Sequence, residues 1–307
     1  MSAVALGAGY VADRLVGDPG RAHPVAGFGR LASAANGVFY SPSRARGAAF
    51  VASLVGLAAL AGELASRSSR AAGLTEGAAL AVFAWAALGG RSLCREADAI
   101  AARLRSGEIE AARAALPALA GRDPETLDAV GITRAVVESV AENTSDAVVG
   151  ALFWGALGGA PAVAAFRAAN TLDAMIGHRS PRYSEFGWAA ARLDDAMGWP
   201  AARIGAGLAV LCAPLAGGSP RRAWRMLRRD GAAHPSPNAG RMEAAFAGAL
   251  GVQLGGDLSY RRRIEPRPRL GDGEPPVVAD ITRATGLSSA VGAAALLLCT
   301  ALSWRLG

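Results

Sequence analysis

Five stretches of this chain, residues 47–62, 77–90, 147–166, 204–220 and 284–304, contain no Asp, Glu, Lys or Arg. A helix crosses a bilayer core with roughly 17–25 mainly apolar residues, and the last run, bounded by Arg283 and Arg305, fits that length best. The others are shorter and rich in Ala and Gly, so buried helices of a soluble all-α protein are the competing interpretation. The chain is 52% apolar and only 19% charged, a balance that leans toward the membrane. β-branched alternation hardly occurs, and Ala, Leu, Arg and Glu fill the periodic stretches, so the secondary structure is expected to be helical.

The expected architecture is therefore all-α: a polytopic membrane bundle with about 4–6 membrane-embedded segments, one membrane-embedded domain over residues 1–307, and amphipathic cytosolic helices. Residues 91–135 read as a polar helical insertion. Within it "RSLCREADAIAARLRSGEIEAARAAL" is a helix pair broken at Ser106 and Gly107, and another helix starts near Asp123 and Pro124. Residues 257–283, rich in Arg, Pro, Gly and Asp, read as an exposed loop, followed by a C-terminal transmembrane helix over 284–304. The apolar start lacks a basic leader and a cleavage signature before Asp13 and Arg14, which argues against a removable signal peptide. Cys94, Cys212 and Cys299 are scattered and suggest packing rather than disulfides or zinc.

All 32 basic side chains are Arg, and the net charge is +7. Without Lys there is no Schiff-base lysine and no lysine-bearing phosphate loop, while Arg suits bidentate contacts with phosphate and carboxylate. The arginines cluster beside apolar runs, at 44–46, 91–105, 221–229 and 261–269. That is the bias of cytoplasmic loops in membrane proteins and speaks against a nucleic-acid partner.

Polar signals concentrate in four blocks, 13–30, 138–146, 167–195 and 234–248, which also hold all three histidines, His23, His178 and His234. In "VVESVAENTSDAVVGALFW", Glu138, Glu142 and Asp146 recur every four residues, which stacks like charges on one helical face and calls for a cation. "GALGGAP" then interrupts the apolar run, and Gly158, Gly159 and Pro161 favour a reversal. The spacing predicts a helical hairpin near 138–177, pivoting at about Gly159 and Ala160, with Asp146 level with Asp173. Glu138, Glu142, Asp146 and Asp173 would then form an oxygen-rich mouth for Mg²⁺, which takes one or two carboxylates together with substrate phosphates and water. The competing interpretation is neutralisation of these acids by Arg134, Arg167 and Arg192.

Together, "GDPGRAHPVAGFGR", the span from "ESVAENTSD" through "RAANTLDAMIGHRSPRYSEFGWAAARLDD", and "HPSPNAGRMEAAFAGALGVQLGG" resemble the CbiB/CobD family of cobalamin biosynthesis, the adenosylcobinamide-phosphate synthases. The resemblance runs from about residue 7 to 256, with long blocks in the expected order. It implies a multi-pass enzyme of the cytoplasmic (inner) membrane, with its active site facing the cytoplasm. Such an enzyme uses ATP and Mg²⁺ to join (R)-1-amino-2-propanol, or its O-phosphate, to the free carboxyl of adenosylcobyric acid. A complex with other late cobalamin-assembly enzymes is a further implication. Two positions depart from the pattern: Arg167 stands where Lys is common, and His178 where an aromatic residue is frequent.

That chemistry needs Mg²⁺ and Arg at phosphates and a base for the amine proton. The corresponding roles fall to Arg167 and Arg192 at phosphate, and to Asp194 or Asp195 at a second metal or the amino-alcohol ammonium. Asn143, Asn170 and Asn238 become substrate-binding groups, Asn238 at an amide edge of the corrinoid. His234 is a candidate general base, and Asp18 and His23 are candidates to reach a phosphate or metal, although a His-Pro turn is equally a structural corner. Tyr183, Phe186 and Trp188 are candidates to stack on the corrinoid. Two other classes compete, a Mg²⁺-dependent intramembrane prenyltransferase and a small-solute transporter. The first would repeat aspartate pairs and the second would show corresponding halves, and neither pattern is apparent.

Overall fold

The computed structural model describes residues 2–18, 23–75, 77–121, 124–178, 180–260 and 263–306. In chain order the helices are α1 (Ser2–Val16), α2 (Pro24–Phe39), α3 (Arg44–Ala71), α4 (Gly77–Ala87), α5 (Gly90–Arg105) and α6 (Ile109–Ala115). They continue with α7 (Ala129–Thr144), α8 (Gly150–Leu172), α9 (Trp188–Cys212), α10 (Pro220–Asp230) and α11 (Ala239–Leu250). A two-stranded antiparallel ribbon, β1 (Leu254–Tyr260) and β2 (Arg263–Leu270), precedes α12 (Val278–Leu306). Five helical stretches, 44–71, 77–105, 129–177, 188–216 and 278–305, are long and apolar enough to cross a membrane. The fold is that of a polytopic helical bundle.

The chain condenses into two compact units, each assembled from separate stretches: 1–89, 146–200 and 296–307 in the first, 90–145 and 201–295 in the second. In the first unit α3 and α4 pack on α8, and α1 packs on α4. Its core includes Phe50, Leu54, Leu172, Ile176 and Phe186. Phe186 is fully buried, its ring 5.1 Å from that of Phe50, so this member of the expected aromatic stack is a packing residue. In the second unit α10 packs on α11, and α7 on α11 and β1.

Local chemistry sets the helix boundaries. Ser43 caps α3, and Asp128 caps α7 by accepting from Gly131 N at 2.7 Å. The α7 start therefore lies beyond the expected one near Asp123 and Pro124: Pro124 opens only a single 3₁₀ turn, while Asp128 supplies the carboxylate that an N-cap needs. Asp123 itself lies outside the described residues. The break between α5 and α6 falls where expected, because Gly107 takes φ +76°, a left-handed conformation that suits glycine.

The predicted loop over 257–283 is corrected by β1, β2 and the early start of α12 at Val278. Alternation was hidden by Pro266 and Pro268. Two residues apart, they remove donors from one edge of a strand, which a two-stranded ribbon tolerates on its outer side.

Candidate functional site

The reversal inside α8 is the element that builds the site. Gly158 (φ −138°, ψ 17°) and Gly159 (φ 63°, ψ −154°) leave helical geometry, and Pro161 follows. In a straight helix Gly150 and Phe166 would lie about 24 Å apart. Here a Cβ placed on Gly150 would come within 2.2 Å of the Phe166 ring, and one on Gly155 within 3.1 Å of Val163. The two arms are thus antiparallel and closely packed, and glycine is required where they touch.

Each arm carries a π-turn, at Ser145–Val149 and Asp173–Gly177. Such turns insert an extra residue into the helical register and are frequent at functional sites. The pivot lies at Gly158 and Gly159, slightly earlier than the sequence suggested, and Asp146 consequently faces Asn170, one turn away from Asp173.

Asn170 is the hub of the resulting cluster. Its Nδ2 donates to Asp146 Oδ2 at 3.4 Å and to Asp194 Oδ1 at 3.3 Å, while its Oδ1 accepts from Arg167 Nη1 at 3.3 Å. The charge of Arg167 lies within the field of Asp146, Asp18 and Asp194. Arg167 as a whole keeps some accessible surface, but its Nε is buried without a hydrogen-bond acceptor. Burying an unsatisfied charged donor is costly, and an anionic ligand oxygen would relieve it. Arg167 also supplies the charge in an otherwise apolar cavity of about 260 Å³, lined among others by Phe28, Phe83, Val163 and Thr171.

Asp18, Asp146, Arg167, Asn170 and Asp194, drawn from three of the four polar blocks, are therefore gathered in the first unit. His23 approaches through Asp18, with Nε2 3.8 Å from Oδ1. Beside them sits a second acid pair. Asp195 accepts an ion pair from Arg192 at 2.9 Å, and both act on the charge of Asp173.

The expected Mg²⁺ set is drawn from both units, Glu138 and Glu142 from the second and Asp146 and Asp173 from the first, and the π-turn interrupts the four-residue register that linked them in sequence. Glu138 is buried and accepts from Gly255 N at 2.6 Å, while Arg134 donates to Gly255 O, so this pair fastens the start of β1. Glu142 is exposed. Asn143 is turned into its own helix, donating to Ser139 O at 2.9 Å. Among the described residues no three His, Cys, Asp or Glu side chains are close enough to hold a metal by themselves. Asp146 and Asp194, both within reach of Asn170, offer the hard oxygen donors that Mg²⁺ accepts when substrate phosphates and water complete its shell.

Both His-Pro sequences form the same turn. His23 Nδ1 accepts from Val25 N at 3.1 Å, capping α2, and His234 Nδ1 accepts from Ser236 N at 3.0 Å. With Nδ1 accepting, a neutral imidazole carries its proton on Nε2. In His23 that nitrogen lies 3.8 Å from Asp18, whereas His234 Nε2 lies 4.0 Å from Glu243 and also against the guanidinium of Arg267, which can only donate. Through Nδ1 both rings take part in a structural corner. His178 follows the second π-turn as its C-cap.

In the second unit, Asn238 Oδ1 accepts from Arg203 Nη1 at 3.0 Å, and Arg241 lies close enough to act on the Arg203 charge. Sequence reasoning passed over both arginines and Glu243. Arg203 had a signal, as the one charged residue between Asp195 and Arg221 in an otherwise apolar stretch.

The profile of the CobD/Cbib protein family matches residues 6–288. The chain is 52% identical over 297 residues to "Cobalamin biosynthesis protein CobD" of Mycobacterium tuberculosis, covering 97% of this chain and 94% of the relative. Proteins of the same name from Chromobacterium violaceum and Stutzerimonas stutzeri are 40% and 42% identical, covering 93% and 90% of this chain and 92% and 89% of theirs. No solved structure matches. With a family match over most of its length and near full-length relatives, the chain belongs to the CobD/Cbib protein family.

Proposed function

We infer that this chain is a cobalamin-biosynthesis enzyme of the cytoplasmic membrane that couples ATP to an amide bond. It would join aminopropanol or its O-phosphate to the free carboxyl of adenosylcobyric acid, at a site facing the cytoplasm. The observation that carries this reading is the cluster at the foot of the hairpin. An Arg167 guanidinium whose Nε is buried and unsatisfied lies within the field of Asp18, Asp146 and Asp194, where an anion, a metal and an ammonium can each find a partner.

A carboxylate and an amine do not condense in water, so the acid must first be activated. The carboxylate oxygen attacks the γ-phosphorus of ATP, ADP leaves, and an acyl phosphate forms. The amine nitrogen then attacks the acyl carbon and inorganic phosphate departs. Arg167 would bind the phosphoryl oxygens and stabilise the charge that develops on them. Asn170 would hold the Asp146 and Asp194 carboxylates apart and oriented. Mg²⁺, held by Asp146 and Asp194, would supply charge neutralisation at the phosphates. Asp18 would receive the amine as ammonium and take one proton, so that the free amine attacks, and the neighbouring carboxylates would take the second proton released as the amide forms. The cavity of about 260 Å³ beside Arg167 suits the small amino alcohol; the corrin ring is too large for it and would remain outside.

The test is product formation by the purified protein in proteoliposomes. Supplied with ATP, Mg²⁺, adenosylcobyric acid and either amine, it should yield adenosylcobinamide or its phosphate by mass, with one ADP per amide. Absence of product with both amines, or equal yield without ATP, would refute the assignment. The amine that reacts faster identifies the natural substrate.

A further inference from the structure

Helix α10, "PRRAWRMLRRD", has five arginines in eleven residues. Its inner face, Ala223, Met226 and Leu227, is buried. Two arginines on its flanks are tied down. Arg222 Nε donates to Gly248 O at 3.0 Å, and Arg229 grips Asp230 through Nε and Nη2 at 2.6 and 2.8 Å. Asp230 in turn is buried and accepts from Gly271 N at 2.8 Å.

That leaves Arg221, Arg225 and Arg228. Spaced four and three apart, they share one helical face and are exposed. Among the described residues none of them makes an ion pair. Trp224 lies in the same stripe, 51% exposed, with the Arg228 guanidinium 5.8 Å from its ring. A half-exposed Trp flanked by exposed Arg is costly to leave in bulk water but suits the headgroup layer, where indole rings and guanidinium groups are enriched.

The position of α10 relative to the membrane follows from contacts within its own unit. Arg283, near the start of the last apolar stretch, donates from Nε and Nη2 to Ala216 O at 3.0 and 2.9 Å. Ala216 closes the stretch 188–216, so two membrane-crossing segments end at one level, and that level is a membrane boundary. Leu211 and Leu215, just before it, are 71% and 76% exposed, as lipid-facing residues would be. Pro220 follows Ala216 after four residues, which span at most about 14 Å of chain. The first turn of α10 therefore starts within about 14 Å of that boundary.

We propose that α10 is a headgroup-binding helix, with Arg221, Arg225 and Arg228 taking the phosphates of anionic phospholipids and Trp224 anchoring at the interface. The inference is independent of the chemistry assigned to the first unit. It fixes the side of the membrane as well, because a cationic stripe of this kind belongs on the cytoplasmic face.

The full-length protein in proteoliposomes tests it. Trp224 emission, isolated by subtracting the Trp224→Phe variant, is read with brominated phosphatidylcholine or brominated phosphatidylglycerol as the quencher in otherwise identical bilayers. Quenching should be at least about twofold stronger with the anionic lipid, and the excess should vanish in the Arg221→Gln/Arg225→Gln/Arg228→Gln variant and shrink in high salt. Equal quenching by the two lipids, or an anionic excess that survives both the triple variant and high salt, would overturn the proposal. The salt titration uses the wild-type chain alone, so the test stands even if the triple variant folds poorly.

Discussion

Replacing Arg167 with Gln is expected to lower amide formation by about 100-fold or more, the scale seen when one electrostatic donor to a developing negative charge is removed. Arg192→Gln should cost less than about tenfold, because its side chain is 60% exposed and already spent on Asp195. The two arginines stand about equal in sequence, each beside an Asn or Asp motif, and only the fold separates them. Arg167 is the guanidinium that Asn170 and three carboxylates surround. Its loss also leaves the half-buried Asp146 and Asp194 without their cation, so a fall in stability of about 1 kcal/mol should accompany the kinetic effect. Turnover assayed by product mass, with thermal unfolding measured on the same preparations, separates the two contributions. If Arg192→Gln proves the more damaging variant, the phosphate role belongs to Arg192 and the assignment above fails.

The second large effect concerns the reversal itself. Gly62 of α3 lies against the turn, and a Cβ there would sit 2.7 Å from both Ala160 O and Pro161 N. These are backbone atoms of a turn that already uses a left-handed glycine, so they have little room to move. Gly62→Ala is expected to destabilise by about 1–3 kcal/mol, and Gly62→Val by more. On the same helix Gly56 has nothing within 4 Å of an added Cβ, and Gly56→Ala should be neutral or slightly stabilising through helix propensity. Unfolding curves in detergent for the three variants check this. Equal behaviour of Gly56→Ala and Gly62→Ala would mean that the hairpin tip is not packed on α3 as described.

Much of this architecture could be read from residue order, and the reasons are specific. Uncharged runs marked the crossing stretches because charges are expensive in hydrocarbon. The reversal was visible because Gly158, Gly159 and Pro161 are a combination that a straight helix does not use. The register across the hairpin was not visible. Two π-turns and a slightly earlier pivot move Asp146 opposite Asn170, and nothing in a four-residue spacing announces a π-turn. The first π-turn also interrupts the four-residue register that joins Glu138 and Glu142 to Asp146 in sequence, and Glu138 fastens the start of β1. The local turns at the histidines were hidden for a related reason. A ring followed by Pro looks available for catalysis in sequence, yet at both His23 and His234 the Nδ1 is already taken by a backbone N–H two residues on. Arg203 escaped notice because its partner Asn238 lies 35 residues away in the chain.

Asn170 itself illustrates how fold and chemistry meet. Its amide contacts one acid on the opposite arm of the hairpin and another on α9, while its carbonyl accepts from the guanidinium one turn before it. Its donors and acceptor thus fix the spacing of three charged groups drawn from separate parts of the sequence.

The central claim, that Asp146 and Arg167 work as parts of one site, is tested most directly by a double-mutant cycle on amide formation. Asp146→Asn and Arg167→Gln should each cost about 100-fold or more, and the double variant should lose little beyond the worse single, because groups that act as a unit are strongly non-additive. Losses that multiply, or full turnover in Asp146→Asn, would show that the two residues act independently and would contradict the site described here.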